Sequence, residues 1–198
     1  YDTPAMHLIV DACQFIAALF VAPILLLRAW KTGRYRTDWD QRRGHMPDLP
    51  PASPRRPRVW IHAVSVGEMN AVRGLIEKWR EQRPETEIVI SCTTDTGKAR
   101  ARELFPDLRV IRYPLDFSRF VNRALDRIKP SLIVLVELEV WFNFVTRAAR
   151  RGIPIAIVNG RLSEKSLRWF SRVRPIARRM FGALAWVGAQ DETYAERF

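Results

Sequence analysis

The chain has 198 residues, 47% hydrophobic and 27% charged, enough to bury one full core and too little for two large domains. Its hydrophobic share excludes a disordered tail, and 9 Gly with 13 Pro in no repeat exclude collagen-like or low-complexity sequence. Thirty-three Lys and Arg against 21 Asp and Glu leave a formal charge of +12, a field that attracts nucleic acid, anionic lipid or a phosphorylated substrate.

In chain order, Leu8 to Leu27 is a 20-residue apolar stretch interrupted by Asp11 and Gln14. At ~1.5 Å per residue a helix of that length reaches across ~30 Å of hydrocarbon, so residues 1–30 are predicted to form a transmembrane anchor. A cleaved signal peptide is the rival, but no Ala-x-Ala-like site follows. Arg28, Lys31, Arg34, Arg36, Arg42 and Arg43 come after the stretch, while Asp2 is the one side-chain charge ahead of it. That asymmetry assigns the remainder to the cytoplasmic face. Residues 31–57 read as a basic, Pro-rich linker with five prolines between Met46 and Pro57, a stiff spacer. Cys13 and Cys92 make neither a C-x-x-C pair nor a disulfide framework, which fits a reducing compartment. The chain opens at Tyr1 and ends at Phe198 without a Gly or Pro stop, so it is expected to be a piece of a longer protein.

From residue 58 to 198 short apolar runs alternate with helix-period segments. The runs are Val59 to Val64, Ile88 to Ser91, Val110 to Tyr113, Leu132 to Val136, Ile155 to Val158 and Ala185 to Val187. The helices are predicted at Glu68 to Gln82, Gly97 to Leu104, Phe117 to Ile128, Trp141 to Arg150 and Ser163 to Phe181, the last kinked or divided at Pro175. Alternation of this kind predicts an α/β fold, a Rossmann-like parallel sheet with helices on both faces. Ligands of such sheets gather where strands end and helices begin, so the βα turns are the places to search.

The first turn sets Ser65 and Glu68 in the S-x-x-E spacing of a capping box, a sufficient structural reason for both. The functional reading makes Glu68 a proton acceptor at the mouth of the sheet, with Gly67 allowing a substrate to approach. No G-x-G-x-x-G is present, and Thr93 to Lys98 lacks the first glycine of a P-loop. There Thr94, Asp95 or Thr96 suits an N-cap, or a contact to sugar or phosphate. After the fourth strand, Glu137 and Glu139 share a face if the strand persists; they serve either a cleft or a cap and an arginine pair. His62 in the first strand reads as packed, and with His7 and His45 it makes no metal-ligand spacing. In the fifth turn Asn159-Gly160 signals a turn and Ser163 with Ser166 suits a cap, whereas Arg161 suits a phosphate or a carboxylate such as Glu68 or Glu139. Beyond it, Trp169, Phe170, Val173, Ile176, Met180 and Phe181 form a helical stripe among arginines, for core packing or for an anionic lipid surface.

These turns resemble those of the 3-deoxy-D-manno-octulosonic acid (Kdo) transferases. The likeness rests on Lys31 to Arg43, on His62 to Glu68 (His-Ala-Val-Ser-Val-Gly-Glu), and on Glu137 to Asn143 beside the family's E-T-E-L-W-P-N. It extends to Asn159 to Ser166 beside N-A-R-L-S-x-x-S, and to Ala189 to Glu192. Leu138, Val140 and Phe142 depart from the family pattern. The resemblance implies the N-terminal, acceptor-binding half of a GT-B glycosyltransferase, with the C-terminal donor domain absent from this chain and the fragment alone inactive. It implies inverting transfer from CMP-Kdo to a lipid A precursor in lipopolysaccharide biosynthesis, at the cytoplasmic face of the inner membrane and without a metal or other cofactor. Glu68 would be the base, Glu137 and Glu139 its supports and Arg161 a charge balance. Ser65, Gly67, Thr94, Thr96, Asn159 and Ser163 would be the substrate-binding set. The alternatives are a GT-B enzyme with another acceptor and a non-catalytic, membrane-anchored domain binding anionic lipid. Nucleic acid is not an expected partner, since no recognised motif accompanies the charge.

Overall fold

Each of the six apolar runs is a strand, because residues such as Leu132–Val136 are apolar toward both faces and pair only where both faces are covered. The computed structural model describes residues 6–16, 19–20, 37–51, 53 and 55–198. The strands are β1 (Arg58–His62), β2 (Glu87–Cys92), β3 (Arg109–Arg112), β4 (Leu132–Val136), β5 (Ile155–Gly160) and β6 (Trp186–Ala189). They form one sheet in the order β3-β2-β1-β4-β5-β6, with every neighbouring pair parallel. The order steps outward from β1 in one direction and from β4 in the other, so the switch point of this Rossmann-like sheet lies between β1 and β4.

Residues 6–16 are helical (α1), and α2 (Trp39–Arg42), α3 (Val66–Gln82), α4 (Asp95–Leu104) and α5 (Ser118–Ile128) follow. The remaining helices are α6 (Phe142–Arg150), α7 (Glu164–Arg172), α8 (Arg174–Gly182) and α9 (Glu192–Arg197). Pro175 divides the predicted last long helix: α7 ends at Arg172 with Val173 as its C-cap, and the proline sits in the first turn of α8, where its missing N–H costs nothing. Alternate strand residues feed two cores. Trp60, Val89, Ile111, Leu135 and Ile157 face α5, α6 and α8, whereas Ile61, Ile90 and Val134 face Met69, Val72 and Ile76 of α3 and Ala101 of α4. Trp60 is fully buried, with its indole N–H donated to Ser91 Oγ at 2.8 Å.

The predicted transmembrane helix is corrected by the structure: among the described residues no helix is long and apolar enough to cross a membrane. The residues read as tolerated interruptions are polar docking groups. Asp11 accepts the Ser118 amide at 3.0 Å and the Asn143 side chain at 2.9 Å, and Gln14 donates to Asp116 at 3.1 Å. Positions 17–18 and 21–27 of the expected span lie outside the described residues.

Two further tethers hold the sheet from the N-terminal side. Arg58, 1% exposed at the head of β1, donates to the Glu87 carboxylate at 2.8 Å and to the Ile128 and Pro50 carbonyls. Asp38 accepts Lys98 Nζ at 2.7 Å and Arg112 Nη2 at 2.8 Å, and Arg112 also donates to Asp95 at 2.6 Å. Lys98 and Arg112 are both buried, so each cation requires these carboxylates to offset the loss of water.

Candidate active site

Ser65 is the N-cap of α3, and its hydroxyl accepts the Glu68 amide at 3.4 Å. The Glu68 carboxylate folds back: Oε2 accepts the Val64 amide at 2.8 Å and Oε1 the Ser65 hydroxyl at 3.1 Å. The reciprocal cap read from the sequence is therefore formed, reaching one residue further upstream than the usual box. Glu68 retains 9% exposure at the rim of the sheet, so it is tucked in rather than sealed. Burial raises its proton affinity, the Val64 and Ser65 bonds oppose that, and Glu139 and Glu137 add to the rise.

Glu137 and Glu139 do not share a strand face as expected. Strand β4 stops at Val136, and Glu137 takes a left-handed conformation (φ 60°) while its amide still donates to the Val158 carbonyl at 3.0 Å. A non-Gly residue held there carries strain of about 1 kcal/mol or more. Past this turn Glu139, 24% exposed, accepts the Trp141 indole N–H at 2.9 Å. Burial pushes the Glu139 carboxyl above its ordinary range, Trp141 pulls it back, and Glu137 pushes it further. The C-terminal ends of β1 and β4, neighbours at the switch point, thus gather three mutually repelling carboxylates.

His62 belongs to this group, although the sequence reading left it as packing. Its ring is fully buried, stacked on Tyr113 with centroids 3.8 Å apart, and Nε2 lies 4.0 Å from Glu139 Oε2. Burial lowers its pKa to about 3, against a raising contribution from Ser91, so the ring is neutral. The available signal was position: a histidine ending the strand that leads into the Ser65–Glu68 turn.

The remaining predicted residues line the same rim more loosely. Thr94 caps α4, accepting the Gly97 amide at 3.1 Å and donating to the Val64 carbonyl at 2.8 Å. Thr96 and Gly67 are exposed. Ser163 caps α7 by accepting the Ser166 amide at 3.2 Å. Asn159 is left-handed (φ 56°) inside β5, where the pairing with β6 shifts register, rather than in a free turn. Arg161 holds neither Glu68 nor Glu139. It is exposed and donates to the Tyr194 hydroxyl at 3.2 Å, which raises its pKa first, with Glu137 a smaller contributor. Among the described residues no group of three or more His, Cys, Asp or Glu side chains is placed to hold a metal ion. A cleft of about 900 Å³ opens at the opposite end of the sheet around Arg80, Glu87 and Arg109 and contains none of these residues.

Comparison with known proteins adds the family. A family model described as 3-deoxy-D-manno-octulosonic-acid transferase (kdotransferase) matches residues 37–198. The 3-deoxy-D-manno-octulosonic acid transferase of Chlamydia trachomatis serovar D is 32% identical over 186 residues, covering 92% of this chain and 43% of that protein. The enzyme of the same name from Haemophilus influenzae is 29% identical, over 94% of this chain and 42% of its own length. The chain therefore spans less than half the length of these curated relatives. Among solved structures, a UDP-GlcNAc 2-epimerase from Neisseria meningitidis has a TM-score of 0.49 at 11% identity, covering 71% of this chain and 42% of that one. With that family model matching residues 37–198, the chain belongs to the 3-deoxy-D-manno-octulosonic-acid transferase (kdotransferase) family.

Proposed function

We propose that this chain is the acceptor-binding half of an inverting glycosyltransferase that moves Kdo from CMP-Kdo to a lipid A precursor at the cytoplasmic face of the inner membrane. The observation that carries the reading is Glu68. Its carboxylate stands at the rim of the switch point and is held by Val64 and Ser65, and burial with two acidic neighbours raises its proton affinity. A sugar hydroxyl is a poor nucleophile in neutral solution. Glu68 removes its proton as the oxygen attacks the anomeric carbon and the bond electrons leave with CMP, a contribution of ~10² to 10⁴ in rate. Exposed Arg161 meets an anionic group of a ligand, and the +12 charge of the chain attracts a phosphorylated acceptor. Donor contacts come chiefly from the part of the relatives' length that this chain does not span.

The test uses the complete gene product. CMP-Kdo-dependent modification of a lipid A precursor is expected to fall ~10² to 10⁴-fold in Glu68→Ala. Full activity in that variant removes Glu68 as the base, and lipid binding without transfer in the unaltered protein favours a non-catalytic domain.

A further inference from the structure

His62 carries a ring nitrogen that the fold leaves without a partner. Its Nδ1 lies 3.1 Å from the Ser91 carbonyl oxygen and 3.0 Å from Ser91 Oγ. A carbonyl only accepts, and this one already accepts the Ala63 amide at 3.0 Å. Ser91 Oγ accepts the Trp60 indole N–H and keeps its own proton to donate, whereas the Ser91 carbonyl offers Nδ1 an acceptor alone, which favours the ring proton on Nδ1. Nε2 is then a bare lone pair, buried and without a hydrogen bond, and Glu139 Oε2 stands 4.0 Å away. A lone pair and an ionised carboxylate in a water-poor site are two acceptors facing each other, an arrangement that low dielectric penalises.

We propose that Glu139 is held as the neutral acid and donates its proton in a hydrogen bond to His62 Nε2, making His62 a positioning residue that acts through Glu139. The 4.0 Å separation closes by rotation of the Glu139 carboxyl, as bonds in unliganded sites tighten on binding. The acids around the pair favour this placement, Glu137 in the same turn and Glu68 on α3, while Tyr113 stacks on the ring from beyond β3 and the Trp141 N–H bond to Glu139 opposes it and is outweighed by burial. Asp116, which raises the Tyr113 pKa by its charge, lies beyond that ring. Burial of His62 and of Glu139 favours the neutral form of each. With Glu139 neutral, one of the two carboxyl groups that raise the proton affinity of Glu68 no longer bears charge, which leaves Glu68 more readily ionised and available as a proton acceptor.

The catalytic meaning of this arrangement rests on Glu68 being the base, whereas the proton's location does not. The test is NMR of the whole chain with ¹⁵N-labelled His and carboxyl-¹³C-labelled Glu. The expected result at neutral pH is the Nδ1–H tautomer of His62, with one protonated Glu carboxyl whose resonance is absent in Glu139→Gln. An Nε2–H tautomer, an imidazolium, or an ionised Glu139 overturns the proposal, and the unaltered protein alone decides it if the variant does not fold. In the complete protein, His62→Gln is expected to move the acid limb of the pH–rate profile to higher pH, since Glu68 then faces an ionised Glu139. A limb that stays in place overturns the positioning role. Glu68→Ala retaining activity sinks the base assignment separately and leaves the NMR result standing.

Discussion

The Thr94 hydroxyl donates to the Val64 carbonyl at 2.8 Å, while the amide of the same Val64 is taken by Glu68 at 2.8 Å. The loop that presents the candidate base is thus clamped on both sides of one residue, and the cap of α4 is one jaw. Thr94→Val is expected to cost about 1–2 kcal/mol, as loss of a cap usually does, and Thr94→Ser much less. Gly97 is confined by the same clamp, since a Cβ there would lie 2.8 Å from both Thr94 Oγ1 and the Val64 carbonyl oxygen. Gly97→Ala is therefore expected to be destabilising by about 1–3 kcal/mol. Urea unfolding, with an unchanged slope and a lowered midpoint, checks all three variants.

Asp116 accepts the Asn143 and Phe144 amides at 3.1 and 2.8 Å at the start of α6. Burial nonetheless pushes its pKa from 3.8 up to about 7, against these donors and Gln14, with Asp11 adding to the rise. The folded state then binds the proton more tightly than the unfolded state, so stability is greatest below about pH 4 for this group and declines as pH rises toward 7. The displacement corresponds to at most about 4 kcal/mol. Stability curves between pH 4 and 8 are expected to lose this decline in Asp116→Asn, and an unchanged decline would reject the assignment.

Asp38 shows the opposite sign. Burial raises its pKa, but hydrogen bonds and charge from Lys98 and Arg112 outweigh that and leave it depressed. Its contribution is present above the unfolded value and lost as pH falls through the folded one. Arg112→Met leaves Asp38 to Lys98 alone and removes the guanidinium bonded to Asp95, and is expected to cost about 1.5–3 kcal/mol. A double variant with Asp38→Asn should recover part of that loss, measurable as a coupling energy in unfolding experiments.

Cysteine chemistry offers a simple readout. Burial pushes the Cys92 thiol up to about 12, with Arg112 and Lys98 opposing and Glu68 adding, whereas Cys13 on α1 is exposed. A thiol reagent is expected to modify Cys13 alone in the native chain and both residues in denaturant. Native modification of Cys92 would mean that β2 opens readily.

The strands were legible because each is apolar on both faces, and the break at Pro175 because proline cannot continue a helix. The motif pair Ser65–Glu68 was legible because its bonds are local. What escaped the sequence depends on distant partners. Asp11 and Gln14 read as interruptions of an apolar span because their partners Ser118, Asn143 and Asp116 are 107, 132 and 102 residues away. Asp38 likewise meets Lys98 and Arg112 across 60 and 74 residues. His62 gained meaning only from the register that sets it opposite Ser91, and the left-handed turn at Glu137 falls on a residue type that does not announce one.

Arg58 has a mechanical consequence. One guanidinium at the head of the central strand grips the Pro50 carbonyl, the Glu87 carboxylate and the end of α5 together. Tension on the chain ahead of Pro50 is delivered to β1, which parallel neighbours flank on both sides and which gives way only by shear of whole ladders. The proline-bearing stretch is therefore a short mooring line made fast to a strand held on both sides, and the rim that holds Glu68 lies at the far end of that same strand.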